Sequence, residues 1–146
     1  DPRLDLSGKD VMRKIMILAR ESGEQMEMED ISNNSFMPES CMTGSVEDFY
    51  AAMEKEETHF KKILDAAKAA GKKLKFVASY DKGKAAVGLQ QVDEQSDFYH
   101  LYGKDNVVLF YTDRYSEQPL VVKGAGAGAA VTASGVFADI IRAAAN

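Results

Sequence analysis

Lys73-Leu74-Lys75-Phe76-Val77-Ala78-Ser79-Tyr80-Asp81-Lys82-Gly83-Lys84 is the stretch on which the fold turns. Leu74, Phe76, Ala78 and Tyr80 alternate with Lys75, Val77 and Ser79, the period of two that a strand imposes because successive side chains point to opposite faces. Asp81-Lys82-Gly83-Lys84 is a turn signal, and residues 85–92 supply the returning strand of a hairpin. Downstream, a loop over 93–105 leads to a strand at 106–112, and 119–123 is a last short strand. Gly124-Ala125-Gly126-Ala127-Gly128 then opens a final helix over about 129–145.

Upstream of the hairpin the period is helical. Ser7-Gly8-Lys9-Asp10 reads as a capping box, with Ser7 at the N-cap and Asp10 at the third helical position, and predicts a helix over 9–22 that Gly23 stops. Val11, Met12, Ile15, Met16, Leu18 and Ala19 cover a wide apolar arc of it, while Asp10, Arg13, Lys14, Arg20 and Glu21 gather opposite. Such a helix is expected to be mostly buried. Residues 24–44 read as an extended connection with a short strand near 26–31. Ser45-Val46-Glu47-Asp48 is a second capping box, opening a helical stretch to Ala70 that Gly71 ends and that the charged run Glu54-Lys55-Glu56-Glu57 divides in two. The order describes an α+β fold, with a mostly antiparallel or mixed sheet covered by helices.

Composition narrows the function classes. The 146 residues suit one domain or a piece of a larger one, and 18 basic against 23 acidic residues give a net charge of −5. With no basic run to offset that charge, a nucleic-acid or anionic-membrane surface is not expected. Cys41 is the only cysteine, which suits a reducing cytoplasm and excludes an internal disulfide. With His59 and His100 as the only histidines, there are too few ligands for a zinc cage, so no metal site is expected. No apolar run reaches the ~18 residues of a membrane helix. The seven methionines, all in the first half, read as core. Asp1-Pro2-Arg3 opens the chain without a methionine, and the expectation is a segment of a longer polypeptide.

Two features carry chemistry. A strand, a glycine-rich turn and a helix place backbone N–H groups and a helix N-terminus where a phosphate can sit. Gly124, Gly126 and Ala129 match G-x-G-x-x-A, but the acidic residue of a further strand that a dinucleotide fingerprint needs is not there. The segment is either a tight turn or a loop touching a ligand held mostly by other residues. Asp10 and Lys14, four apart, share a helix face. They form either an ordinary surface pair or, if that end is buried, a lysine able to give a proton to an oxygen gaining charge.

Taken together the segments resemble the catalytic C-terminal portion of homoserine dehydrogenase, especially as found in bifunctional aspartokinase–homoserine dehydrogenases. Asp1-Pro2-Arg3-Leu4-Asp5-Leu6-Ser7-Gly8-Lys9-Asp10-Val11-Met12-Arg13-Lys14 is similar to the family's D-P-R-x-D-L-x-G-x-D-V-x-R-K. Gly124 to Ala133 is similar to its G-A-G-A-G-x-x-V-T-A, and Gly103-x-Asp105-Asn106 and Tyr115-x-x-x-Pro119-Leu120-Val121 follow more loosely. The resemblance implies interconversion of L-aspartate 4-semialdehyde and L-homoserine with NAD(P)H. It makes Lys14 the general acid, with Asp10 and Asp5 binding substrate, and Gly128, Gly126 and Ala129 approaching the cofactor. It also implies a substrate part over 1–74, a sheet over 75–120 taking part in homodimerisation, and a segment over 121–146 returning to a nucleotide-binding domain of the same polypeptide. In the family a glutamate holding the substrate amine comes immediately before Asp-Pro-Arg, and the nucleotide domain brings its own glycine fingerprint and another lysine. The expectation is thus a catalytic-region fragment that binds cofactor weakly or not at all and is inactive alone. The alternative reading is a non-catalytic α+β module for dimerisation or metabolite binding.

Overall fold

The computed structural model describes residues 1–103 and 105–145. Their first feature is a reversal at a buried glycine. The four-residue helix α1 (Arg3–Leu6) ends at Ser7, Gly8 takes φ 79°, and α2 (Lys9–Glu21) begins. A left-handed backbone costs an L side chain about 1–2 kcal/mol and glycine almost nothing. Here the space is closed as well, since a Cβ on Gly8 would lie 2.8 Å from Phe76 Cζ. The capping box expected at Ser7 does not form: Gly8 is the N-cap, without a side-chain cap bond. Ser7 is instead buried, its Oγ donating to the Leu4 carbonyl at 3.3 Å, because the chain is already helical before it. The second box does form. Ser45 caps α3 (Val46–Lys55), its Oγ accepting from the Asp48 amide at 3.1 Å while the Asp48 carboxylate accepts from the Ser45 amide at 2.9 Å.

The helical stretch breaks at Glu56, where α4 (Glu57–Ala69) starts, and Gly71 ends it at φ 66°. The short strand expected near 26–31 lies later: Met28–Asp30 is a 3-10 turn, and β1 is Ile31–Asn34. The hairpin forms as read, β2 (Lys73–Asp81) pairing antiparallel with β3 (Lys84–Val92) about a turn in which Lys82 and Gly83 both take positive φ, 47° and 79°. β3 is the central strand, because β1 joins its other edge in parallel, Ile31 opposite Ala85 and Asn34 opposite Gly88.

The chain folds as two compact units, Asp1–Glu94 and the residues from Gln95 onward. In the first, α2 lies across the three strands, with Met12, Ala19, Met26, Ile31, Ala85 and Val87 forming one core. A second core gathers Met37, Cys41 and Phe49 against Leu6, Phe36 and Phe60. Phe36 joins the two, its ring edge-on to Phe60 at 6.4 Å and to Phe76 at 6.3 Å. Arg3 ties the start of the chain to α3: its Nη1 donates to the Gly44 carbonyl at 2.9 Å, and the guanidinium stands 6.0 Å over the Phe49 ring. The second unit holds β4 (Asp105–Phe110), antiparallel to β5 (Leu120–Ala125), and then α5 (Ala129–Ala145). In place of one sheet over 75–120 there are two, β1-β3-β2 in the first unit, which takes in residues 31–34, and β4-β5 in the second, which runs on to Ala125.

The α3 cap gives a test with a pH sign. The backbone amide of Ser45, then its hydroxyl, hold the Asp48 carboxyl below its usual range. A carboxyl depressed in the folded state stabilises above its unfolded pKa, and that contribution is lost as pH falls through the folded value. Ser45→Ala is expected to cost about 1 kcal/mol. In urea denaturation series, the stability difference between the native chain and Asp48→Asn should shrink steadily as pH is lowered through the carboxylate range.

Candidate functional site

The first unit carries the acidic and basic residues of the site on one continuous segment. Asp5 lies on α1, exposed, two residues before the Ser7–Gly8 reversal. Asp10 and Lys14 lie on the first turns of α2, and the helical spacing brings them together: Lys14 Nζ is 2.8 Å from Asp10 Oδ2. The expectation of a mostly buried helix is not met. Only Met12 and Ala19 are buried, and Ile17 and Leu18 are 56% and 37% exposed, because the strands cover one stripe of α2 and leave the rest open. The Lys14 and Asp10 side chains are accordingly 60% and 52% exposed. An ammonium held by a carboxylate at the surface of a scaffold can bind a polar molecule and exchange a proton with it.

The reversal before the pair is fastened from the sheet. Asn33 of β1 donates through Nδ2 to the Ser7 carbonyl at 2.8 Å. Phe76 of β2 stands over Gly8, and the Gly8 carbonyl accepts the first bond of α2, from the Met12 amide at 2.9 Å. Nothing in the sequence marks Asn33, whose partner is 26 residues away. The glycine between two helices is the available signal.

In the second unit the glycines separate by role. A Cβ on Gly126 would run into the Asn106 side chain, so this glycine permits a close approach between the turn after β5 and β4. Gly128, at φ 135°, has nothing within 4 Å of where a side chain would stand, and its carbonyl accepts from the Thr132 amide at 3.0 Å to begin α5. Gly128 and Ala129 therefore present open backbone at the head of a 17-residue helix, a geometry that lets a ligand approach main-chain N–H groups. On the β4–β5 ladder, Lys123 Nζ lies 3.6 Å from Asp105 Oδ2.

Of the two histidines, His59 has structural work. His59 Nε2 is 2.9 Å from the Phe36 carbonyl and its ring is edge-on to Phe60, which makes it a tie between α4 and the second core. A shallow groove along α3 and α4, lined by Met53, Phe60 and Leu64 with Glu54, Glu57 and Lys61, includes none of the residues named above for chemistry. Among the described residues there is no group of three His, Cys, Asp or Glu able to hold a metal ion, and no helix long and apolar enough to cross a membrane.

Known proteins share this architecture. The family profile described as homoserine dehydrogenase matches residues 1–141. The chain is 42% identical over 143 residues to the bifunctional aspartokinase/homoserine dehydrogenase of Haemophilus influenzae, covering 97% of this chain and 18% of that protein. Among solved structures, a Candida auris protein of unknown function superposes with a TM-score of 0.87 at 39% identity, over 97% of this chain and 40% of that one. Staphylococcus aureus homoserine dehydrogenase shares the fold, with a TM-score of 0.69 at 21% identity, over 99% of this chain and 32% of that one. The chain spans less than one fifth of the length of the bifunctional relative.

The exposed pair makes a clear thermodynamic expectation. An i,i+4 ion pair at a helix surface is worth about 0.3–0.5 kcal/mol, so Asp10→Asn should lower unfolding stability by no more than about 0.5 kcal/mol. Urea denaturation of the two proteins reads this directly, and a loss of several times that size would mean that the pair serves the fold rather than a ligand.

Proposed function

The chain belongs to the homoserine dehydrogenase family, and on that footing we propose that it carries the proton-transfer and substrate-binding part of an enzyme interconverting L-aspartate 4-semialdehyde and L-homoserine with NAD(P)H, in threonine and methionine biosynthesis. The reading rests on the Asp10–Lys14 contact at 2.8 Å, on a helix whose other face is packed against the sheet. Lys14 is the general acid. As the aldehyde carbon is reduced, negative charge builds on the carbonyl oxygen, and the Lys14 ammonium neutralises it and gives up an Nζ proton to form the hydroxyl. In the reverse direction neutral Lys14 takes that proton back. Asp10 holds Nζ from one helical turn away, so the ammonium does not swing freely, and it presents its second oxygen to the substrate. Asp5 adds a further carboxylate on the adjoining helix, suited to the substrate's amino group.

The nicotinamide, when bound, supplies or accepts the hydride. Gly128 and Ala129 fit an approach to it, with open backbone at the head of α5, whereas Gly126 is taken up by Asn106. The chain's own task is positioning: effective molarity from holding two reactants in register is worth far more than any one of these contacts contributes to stability. We further propose that the protein works as a homodimer through its sheet and that α5 is covered by the nucleotide-binding part of the same polypeptide. In support, β5 exposes Leu120, Val121 and Val122 at 46%, 43% and 54%, and α5 exposes Phe137, Ile140 and Ile141 at 64%, 58% and 53%, a density of apolar surface that marks interaction faces.

In the product of the complete open reading frame, Lys14→Ala should lower kcat for homoserine oxidation about 100-fold to 10,000-fold, with its circular dichroism and melting curve unchanged. Near-normal turnover would remove Lys14 from the chemistry. Val122→Glu should shift the sedimentation coefficient from that of a dimer to that of a monomer; an unchanged value would place the subunit contact elsewhere.

A further inference from the structure

We infer that Asn33 is a positioning residue for the acid–base segment, setting where Lys14 and Asp10 stand relative to Asp5; the inference rests on the proton-transfer role proposed for Lys14. Asp5 lies on α1 and the other two on α2, so their relation is decided by whatever fixes the two-residue joint between the helices. That joint is Ser7–Gly8. Ser7 is the one buried polar residue of the described chain, at 8% exposure. Its amide donates to the Arg3 carbonyl at 2.9 Å, and its hydroxyl to the Leu4 carbonyl at 3.3 Å. Because the backbone turns left at Gly8, the Ser7 carbonyl falls outside both helical ladders, and a buried carbonyl needs a partner. Asn33 Nδ2 is that partner, at 2.8 Å.

Two side chains meet on the joint. The Asn33 amide oxygen lies 3.4 Å, and the Phe76 ring 2.8 Å, from where a Gly8 side chain would start. β1 in turn is held by its parallel register on β3, where Gly88 admits Asn34 so closely that a Cβ would stand 2.9 Å from the Asn34 Cβ. The Asn33 amide thus ties the helix head to β1, and through the β1–β3 register to the central strand, beside the apolar packing of α2 on the sheet. The Asp10–Lys14 distance is internal to α2 and does not depend on Asn33. The direction in which that pair faces, and its separation from Asp5, do.

The test uses the product of the complete open reading frame. Asn33→Ala, or Asn33→Asp where the alanine variant folds poorly, removes the donor; the aspartate keeps the shape. Either should lower kcat per folded enzyme about 10-fold to 100-fold, the range that a displacement on the order of 1 Å produces at a reacting centre. The solvent deuterium isotope effect on kcat should rise, because proton transfer from a displaced lysine becomes slower than the other steps. A role in folding alone would lower the melting temperature and leave both of these unchanged, and that result overturns the inference. Lys14→Ala measured alongside separates the two levels. If it loses activity while the Asn33 variants keep theirs, only the positioning role falls; if it retains activity, the proton-transfer role falls first.

Discussion

A left-handed turn in a buried place is the constraint from which the rest of the first unit follows. Gly8 at φ 79° ends one helix and starts the next, and the Phe76 ring leaves no room for a side chain there. Once the backbone turns left, Ser7 loses its helical acceptor role and its carbonyl must be met from outside, which brings in Asn33 and with it β1. The direction of α2 across the strands is set by that joint, and Met12, Ala19, Ile31, Ala85 and Val87 close under it. Arg3 performs the corresponding service on the other side, linking the chain start to the Gly44 carbonyl and the Phe49 ring of the second core.

The candidate site inverts the usual relation between strength and importance. The Asp10–Lys14 contact is short, at 2.8 Å, yet more than half exposed, so water screens it and it adds little to stability. Its use lies in direction: a carboxylate one turn away restrains a long, flexible ammonium. The apolar groups beneath contribute the stability, and the polar groups above are left available to a ligand. The glycines of the second unit divide in the same way, Gly126 serving the close contact with Asn106 and Gly128 leaving backbone open.

Much of this is legible in the residues, for local reasons. The hairpin at 73–92 can be read because alternation and a two-residue turn are both short-range; Lys82 and Gly83 take the paired positive φ values that match strand twist. The cap at Ser45 and the break at Glu56 can be read for the same reason. At Ser7 the residue types of a capping box are present and the box still does not form, because Arg3–Leu6 already make a helical turn and Ser7 closes that turn instead of opening the next. β1 starts later than the residue pattern suggests because Met28–Asp30 closes a 3-10 turn through the reciprocal bonds of Glu27 and Asp30. No apolar pattern distinguishes the two when the strand has only Ile31 buried.

Short-range patterns in the chain suffice for the element types, the hairpin, the helical spacing that joins Asp10 to Lys14, and the motifs that assign the family, since each is written within a few consecutive residues. Long-range packing alone settles that β3 lies between β2 and β1, that α2 is covered along one stripe and open on the other, and that Asn33 holds the joint at Ser7–Gly8. Those outcomes depend on contacts between residues distant in the chain, where the satisfaction of a buried carbonyl and the close packing of apolar faces select among arrangements that local preference leaves equal.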